Sequence, residues 1–156
     1  MTAMDQKPSD DLRQQLESIL AGMSVHIVDM SFSVVSGRHH LVLIVYKADG
    51  IGHSDLEKIH RTVQARLEVL FAYGRDVHIE ISTPGIERKI KHSHEYTLYM
   101  GKGIRIMAGE ENEWHYGILS SYNNNTVEIT TNNDETIAFH IDSIKKAKLD
   151  PDQDRG

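Results

Sequence analysis

A strand pattern runs into a proline in the middle of this chain, and the rest is organised around that point. Val77, Ile79 and Ile81 alternate with His78 and Glu80 and lead into Ser82-Thr83-Pro84-Gly85. Proline fixes its own φ, disfavours helical geometry at the residue before it, and lacks the N–H that a continuing sheet needs. The glycine that follows reads as a residue permitting a turn closed to other side chains. The strand must therefore end here. Beyond it lies Ile86-Glu87-Arg88-Lys89-Ile90-Lys91, after which mixed helix and strand patterns give way to strands alone.

Charge marks the same place. The 156 residues carry a net charge of −6, distributed as −3 over 1–86, +2 over 87–92 and −5 over 93–156. A basic island between two acidic regions suits a partner offering both phosphate and basic protein surface. The overall sign argues against a simple nucleic-acid coat. With no cysteine the chain has neither disulfides nor thiolate metal sites, which fits a reducing cytoplasm. The longest apolar run, Leu41–Tyr46, is far too short to span a membrane, and the polar start resembles neither a signal nor a transit peptide.

Ahead of the junction, Leu12, Leu16, Ile19, Leu20 and Met23 fall at helical spacing, with Asp10 placed to cap the start and Gly22 near the end. Val28, Met30, Phe32 and Val34 alternate as a half-buried strand, and Ser36-Gly37-Arg38-His39 reads as a hairpin loop. Leu41–Tyr46 reads as a central strand. Ser54-Asp55-Leu56-Glu57 predicts a capping box, and Leu56, Ile59, Val63, Leu67 and Leu70 form the apolar stripe of a second helix. The order is α-β-β-α-β, and two amphipathic helices on one sheet face make a two-layer sandwich.

After the junction, residues 94–100 suit one helical turn. Short strands follow around Ile104 and Ile106, around Tyr116, Ile118 and Leu119, around Val127 and Ile129, and around Ile137, Phe139 and Ile141. A last one starts at Ile144, and the Asn-rich segments 123–125 and 132–134 supply turns. This spacing predicts a small barrel. The expected fold is therefore α+β. Residues 10–83 form an α/β domain, 84–92 a junction, 93–149 a barrel and 150–156 a flexible tail.

The junction Ser82-Thr83-Pro84-Gly85-Ile86-Glu87-Arg88-Lys89-Ile90 resembles a segment of the bacterial ribosome maturation factor RimP family. There a strand ends in Ser-Ser-Pro-Gly, followed by an aliphatic residue and Asp-Arg-Pro-Leu. Gly22–Asp29 resembles the family's entry into its first strand. Tyr99-Met100-Gly101-Lys102, Gly117-Ile118-Leu119 and Ile141–Leu149 are similar to parts of its second domain. The resemblance covers roughly residues 10–150. Thr83 stands for a serine, Glu87 for an aspartate and Lys89 for a proline, and the loop 49–53 is shifted. The resemblance implies an α/β domain followed by an SH3-like (Sm-like) barrel. It also implies a monomeric, cytoplasmic, non-enzymatic assembly factor for the small ribosomal subunit, which binds the immature particle transiently. Ribosomal RNA and a basic ribosomal protein near the decoding centre would be its partners, the barrel engaging the protein. The alternative is a general RNA-binding module with an Sm-like barrel.

The candidate binding residues are Ser82, Thr83, Pro84, Gly85, Arg88, Lys89, Lys91, Trp114 and Tyr116. Arg88 suits a bidentate phosphate contact or an ion pair with Glu80 or Glu87. Lys89 and Lys91 suit phosphate. Ser82 and Thr83 suit partner contacts or, as the more ordinary role, capping of the turn. Trp114 and Tyr116 read either as a recognition surface or as core, with core filling expected for one of them. Ten histidines include His92 and His94, His39 and His40, and His53 and His60, but no third ligand stands at motif spacing, so no metal or cofactor is expected. No nucleophile motif, phosphate loop or paired-carboxylate frame occurs. Gly101-Lys102-Gly103 leads into a strand and reads as a turn.

Overall fold

The computed structural model describes residues 2–154, with the side chains of Thr2–Asp10 left aside. The chain divides into two compact units, Met1–Pro84 and Gly85–Gly156.

The first unit contains α1 (Thr2–Ala21), β1 (His26–Val35), β2 (Arg38–Tyr46), α2 (His53–Leu70) and β3 (His78–Ser82). The sheet order is β1-β2-β3. β1 and β2 form an antiparallel hairpin, and β3 runs parallel to β2, the geometry that calls for a helical crossover. Leu12, Leu16 and Leu20 of α1 and Ile59, Val63 and Leu67 of α2 share one buried cluster with Leu41, Leu43 and Val45 of β2. Each such side chain contributes about 1.5–3 kcal/mol by leaving water. Both helices thus lie on one sheet face. The opposite face presents His40, Val42 and Ile44 of β2 in register with His78, Glu80 and Ser82 of β3.

Three local expectations change. α1 begins well before Asp10, which is therefore not its cap. α2 begins at His53, and the Asp55 carboxylate accepts the N–H of Gly52 at 3.0 Å, so the cap sits before the expected Ser54–Glu57 box. In β1 the register slips between Ile27 and Asp29, which puts Met30 and Phe32 on the core face with Ile27 and leaves Val28 buried off the ladder. The hairpin turn is only Ser36-Gly37, both at positive φ (53° and 77°), as a two-residue loop requires.

The second unit has α3 (Glu95–Leu98), β4 (Gly103–Ala108), β5 (Trp114–Asn123), β6 (Thr126–Thr130), β7 (Thr136–His140) and β8 (Ile144–Leu149). They form one antiparallel sheet, β7-β6-β5-β4-β8, over a core that includes Ile104, Ile106, Leu119, Val127, Ile129, Phe139 and Ala147. The fold class is α+β, as expected. The sheet does not close into a barrel: β7 and β8 lie at opposite edges. The outer edge of β8 is already taken. Ile90 N–H donates to Ala147 O at 2.8 Å, Leu149 N–H donates to Arg88 O at 2.9 Å, and Lys89 bridges Lys148. Residues 88–90 therefore act as a short additional strand.

Residues 150–154 are also engaged. Asp150 is buried, Pro151–Gln153 form a 3₁₀ turn, and Gly103 gives its N–H to the Asp154 carboxylate. Asp150 N–H in turn donates to Gly103 O at 2.9 Å. Gly103 permits this approach, because a Cβ there would collide with the Asp150 carbonyl and sit 2.8 Å from Gln153 Cβ. Residues 150–154 therefore do not form the flexible tail expected over 150–156, of which 155 and 156 lie outside the described residues.

Candidate functional site

Ser82 ends β3, and Thr83 and Gly85 are exposed with it while Pro84 is half-buried. Among the described residues neither the Ser82 nor the Thr83 hydroxyl makes a hydrogen bond to the turn, which is closed instead by Arg88 N–H donating to Gly85 O at 3.1 Å. Gly85 is not at positive φ, and a Cβ there would meet nothing within 4 Å. The turn accordingly does not require glycine.

Arg88 is buried at 9% exposure, and Glu95 is fully buried. Arg88 Nε donates to Glu95 Oε1 at 2.9 Å and Nη2 donates to Oε2 at 3.0 Å, the parallel fork that guanidinium makes with carboxylate. Oε2 also accepts the N–H groups of Lys91 and His92, each at 3.0 Å. The acid is thus neither Glu80 nor Glu87, and the guanidinium is spent on a protein carboxylate inside the second unit. Glu95 opens α3, so its backbone stands one short turn from the amides it accepts. Burial of such a pair is repaid only with complete hydrogen bonding.

Fixing Arg88 and Ile90 displays the residues between and after them. Lys89 and Lys91 are exposed. His92 and His94 stack at 5.7 Å beside them, and among the described residues no three His, Asp or Glu side chains group as a metal site.

Next to Glu95, Tyr96 is buried against Tyr122, ring centroids 5.5 Å apart. Burial, then the Glu95 charge, then Tyr122 push its phenol up to about 12.

Trp114 and Tyr116 share one face of β5, opposite Met107 and Arg105 of β4. The intervening His115 faces the core side, opposite buried Ile106. Neither aromatic fills the core: Tyr116 is 45% exposed, and Trp114 is half-buried beneath Arg105, whose guanidinium carbon lies 5.2 Å from the indole centroid. Spacing alone placed the pair together, because positions two apart in a strand face the same way. Arg105 is the partner the sequence reading missed, since only strand register brings it to Trp114.

Residues 15–87 match the RimP N-terminal domain family. The chain is 28% identical over 134 residues to a protein of Borrelia hermsii named ribosome maturation factor RimP, covering 86% of this chain and 90% of that one. A protein of the same name from Borrelia turicatae is 26% identical over 134 residues, with the same coverage of both chains. Among the described residues no helix is long and apolar enough to cross a membrane.

Proposed function

We propose that this chain is a member of the RimP family and a ribosome maturation factor acting in assembly of the small (30S) ribosomal subunit. It works by binding the immature particle transiently, as a monomer in the cytoplasm, and carries out no chemistry of its own. Its contacts are ribosomal RNA and a basic ribosomal protein near the decoding centre. The observation that carries this reading, beyond the relatives' name, is the fixed basic segment. The Arg88–Glu95 pair and the β8 bonds hold residues 88–92 to the second unit, so that Lys89 and Lys91 are presented in a set geometry. Ser82, Thr83, Pro84 and Gly85 add exposed or half-exposed backbone and hydroxyls for partner or RNA contact. Arg88 supports the contact from within.

We read the five-stranded sheet, with its 3₁₀ turn (Ile141–Ser143) between β7 and β8, as SH3-like. Its β7 edge is paired on one side, with β6, and carries Glu135, Asp134 and Asp142 near its ends. An extended basic segment of a ribosomal protein can add there as a further strand, with charge complementarity setting rate and register.

Gradient co-sedimentation with isolated small subunits, large subunits and assembled ribosomes tests the reading. Preferential association with small subunits is expected. Equal association with all three, or none at all, overturns it. A chain that stays at the top of the gradient yet binds RNA points to the general RNA-binding module.

A further inference from the structure

The register of the second sheet lines up cations that are far apart in sequence. Lys89 stands opposite Lys148, Lys148 opposite Arg105, and Arg105 opposite Tyr116, one row across four strands. Lys146, Met107 and Trp114 make a parallel row beside it. Directly opposed residues of antiparallel strands share a face, and this is the outer one, since Ile104, Ile106 and Ala147 point into the core. The row crosses three strand gaps, about 14 Å.

Like charges placed directly opposite one another are destabilising. Here the cost is little relieved. Among the described residues, Glu87 alone reaches the row, 3.9 Å from Arg105, and no carboxylate pairs with Lys89, Lys146 or Lys148. Arg105 Nε is buried without a hydrogen-bond partner. Residues 93–156 are otherwise acidic, so this concentration of positive charge is local.

We propose that this face binds a single-stranded segment of RNA, with phosphates along Lys89, Lys148 and Arg105 and a base stacked on the exposed ring of Tyr116. The proposal specifies the RNA contact within the function proposed above. A row of cations ending in an exposed aromatic matches alternating phosphate and base, and stacking on such a ring works with any base. Acidic side chains would neutralise the cations but bring no aromatic ring to stack on Tyr116.

Trp114 is the only tryptophan, so its fluorescence reports on this face alone. Titrating the full chain with a short oligoadenylate should change that signal. The logarithm of affinity should fall against the logarithm of salt with a slope of about −2, from about −0.7 for each of three phosphates. Replacing Lys89→Ala together with Lys148→Ala should bring the slope to about −0.7 and weaken binding about tenfold. Tyr116→Ala should weaken it about tenfold with the slope unchanged. Glu87→Gln, at an exposed position that packing does not depend on, should tighten it and steepen nothing. The proposal is overturned if oligoadenylate leaves the Trp114 signal unchanged, if the double lysine variant keeps the wild-type slope, or if polyglutamate acts as strongly as the RNA. Failure here with wild-type chain still sedimenting on small subunits removes this face and leaves the assembly role. Success here without sedimentation does the reverse.

Discussion

Arg88 and Glu95 meet through two parallel hydrogen bonds of 2.9 and 3.0 Å, with side chains 7% and 0% exposed. Because Glu95 also accepts the amides of Lys91 and His92, one carboxylate organises the whole basic segment. Removing either member takes two parallel hydrogen bonds from the buried charge of the other. Arg88→Ala and Glu95→Ala should each cost about 3–5 kcal/mol in urea unfolding. The double variant Arg88→Met with Glu95→Leu should recover part of this but remain about 1–3 kcal/mol below wild type, since two N–H groups still lose their acceptor. A double variant as stable as wild type would show that those two amides are satisfied without Glu95.

Tyr96 gives stability a dependence on alkaline pH. Its phenol titrates near 10 when unfolded and at about 12 when folded, so the folded state holds its proton longer. The contribution is complete below pH 10 and is lost as pH rises from there through 12. It should amount to roughly 1–3 kcal/mol. Tyr96→Phe should flatten the stability profile across that window, and the ultraviolet phenolate titration should lose a component near 12. A difference titration showing the lost component near 10 would contradict the assignment.

Two glycines should respond oppositely to alanine. Gly85→Ala should be neutral or stabilising by about 0.4–1 kcal/mol, because the site is open and only the unfolded chain loses freedom. Gly103→Ala should destabilise by about 1–3 kcal/mol, because the new methyl forces Asp150 and Gln153 away and disturbs the Gly103–Asp154 contact. Thermal unfolding of both variants separates the cases. A Gly103→Ala protein that melts with wild type would mean the terminal 3₁₀ turn contributes nothing.

Periodicity made most of the first unit legible. Leu12, Leu16, Leu20, Ile59, Val63 and Leu67 were read from helical spacing and are all buried, because amphipathic spacing and core position are the same fact seen twice. The strands of the second unit were legible by alternation for the same reason. What escaped was everything decided by register or by loop closure. Glu95 reads as an ordinary exposed acid until the chain folds back and brings Arg88 to it. Arg105 is 9 residues before Trp114 and 43 before Lys148, and only pairing makes them neighbours. Asp150–Asp154 looks like a polar end, yet its buried acid and capped turn depend on a glycine nearly fifty residues upstream. The glycine of Pro84-Gly85 is not at positive φ, so the turn it was expected to permit does not depend on it.

The pairing of Arg88–Ile90 with Ala147–Leu149 also sets an order in time. During synthesis the residues that open the second unit emerge early but have no strand to join until β8 has been made, almost sixty residues later. Contacts so distant in sequence form late, because a long loop must close before they stabilise anything. The basic segment therefore lacks its β8 bonds on a growing chain, and acquires its full presented geometry only once the second unit is complete. An unfinished copy of this protein displays the right charges in the wrong shape.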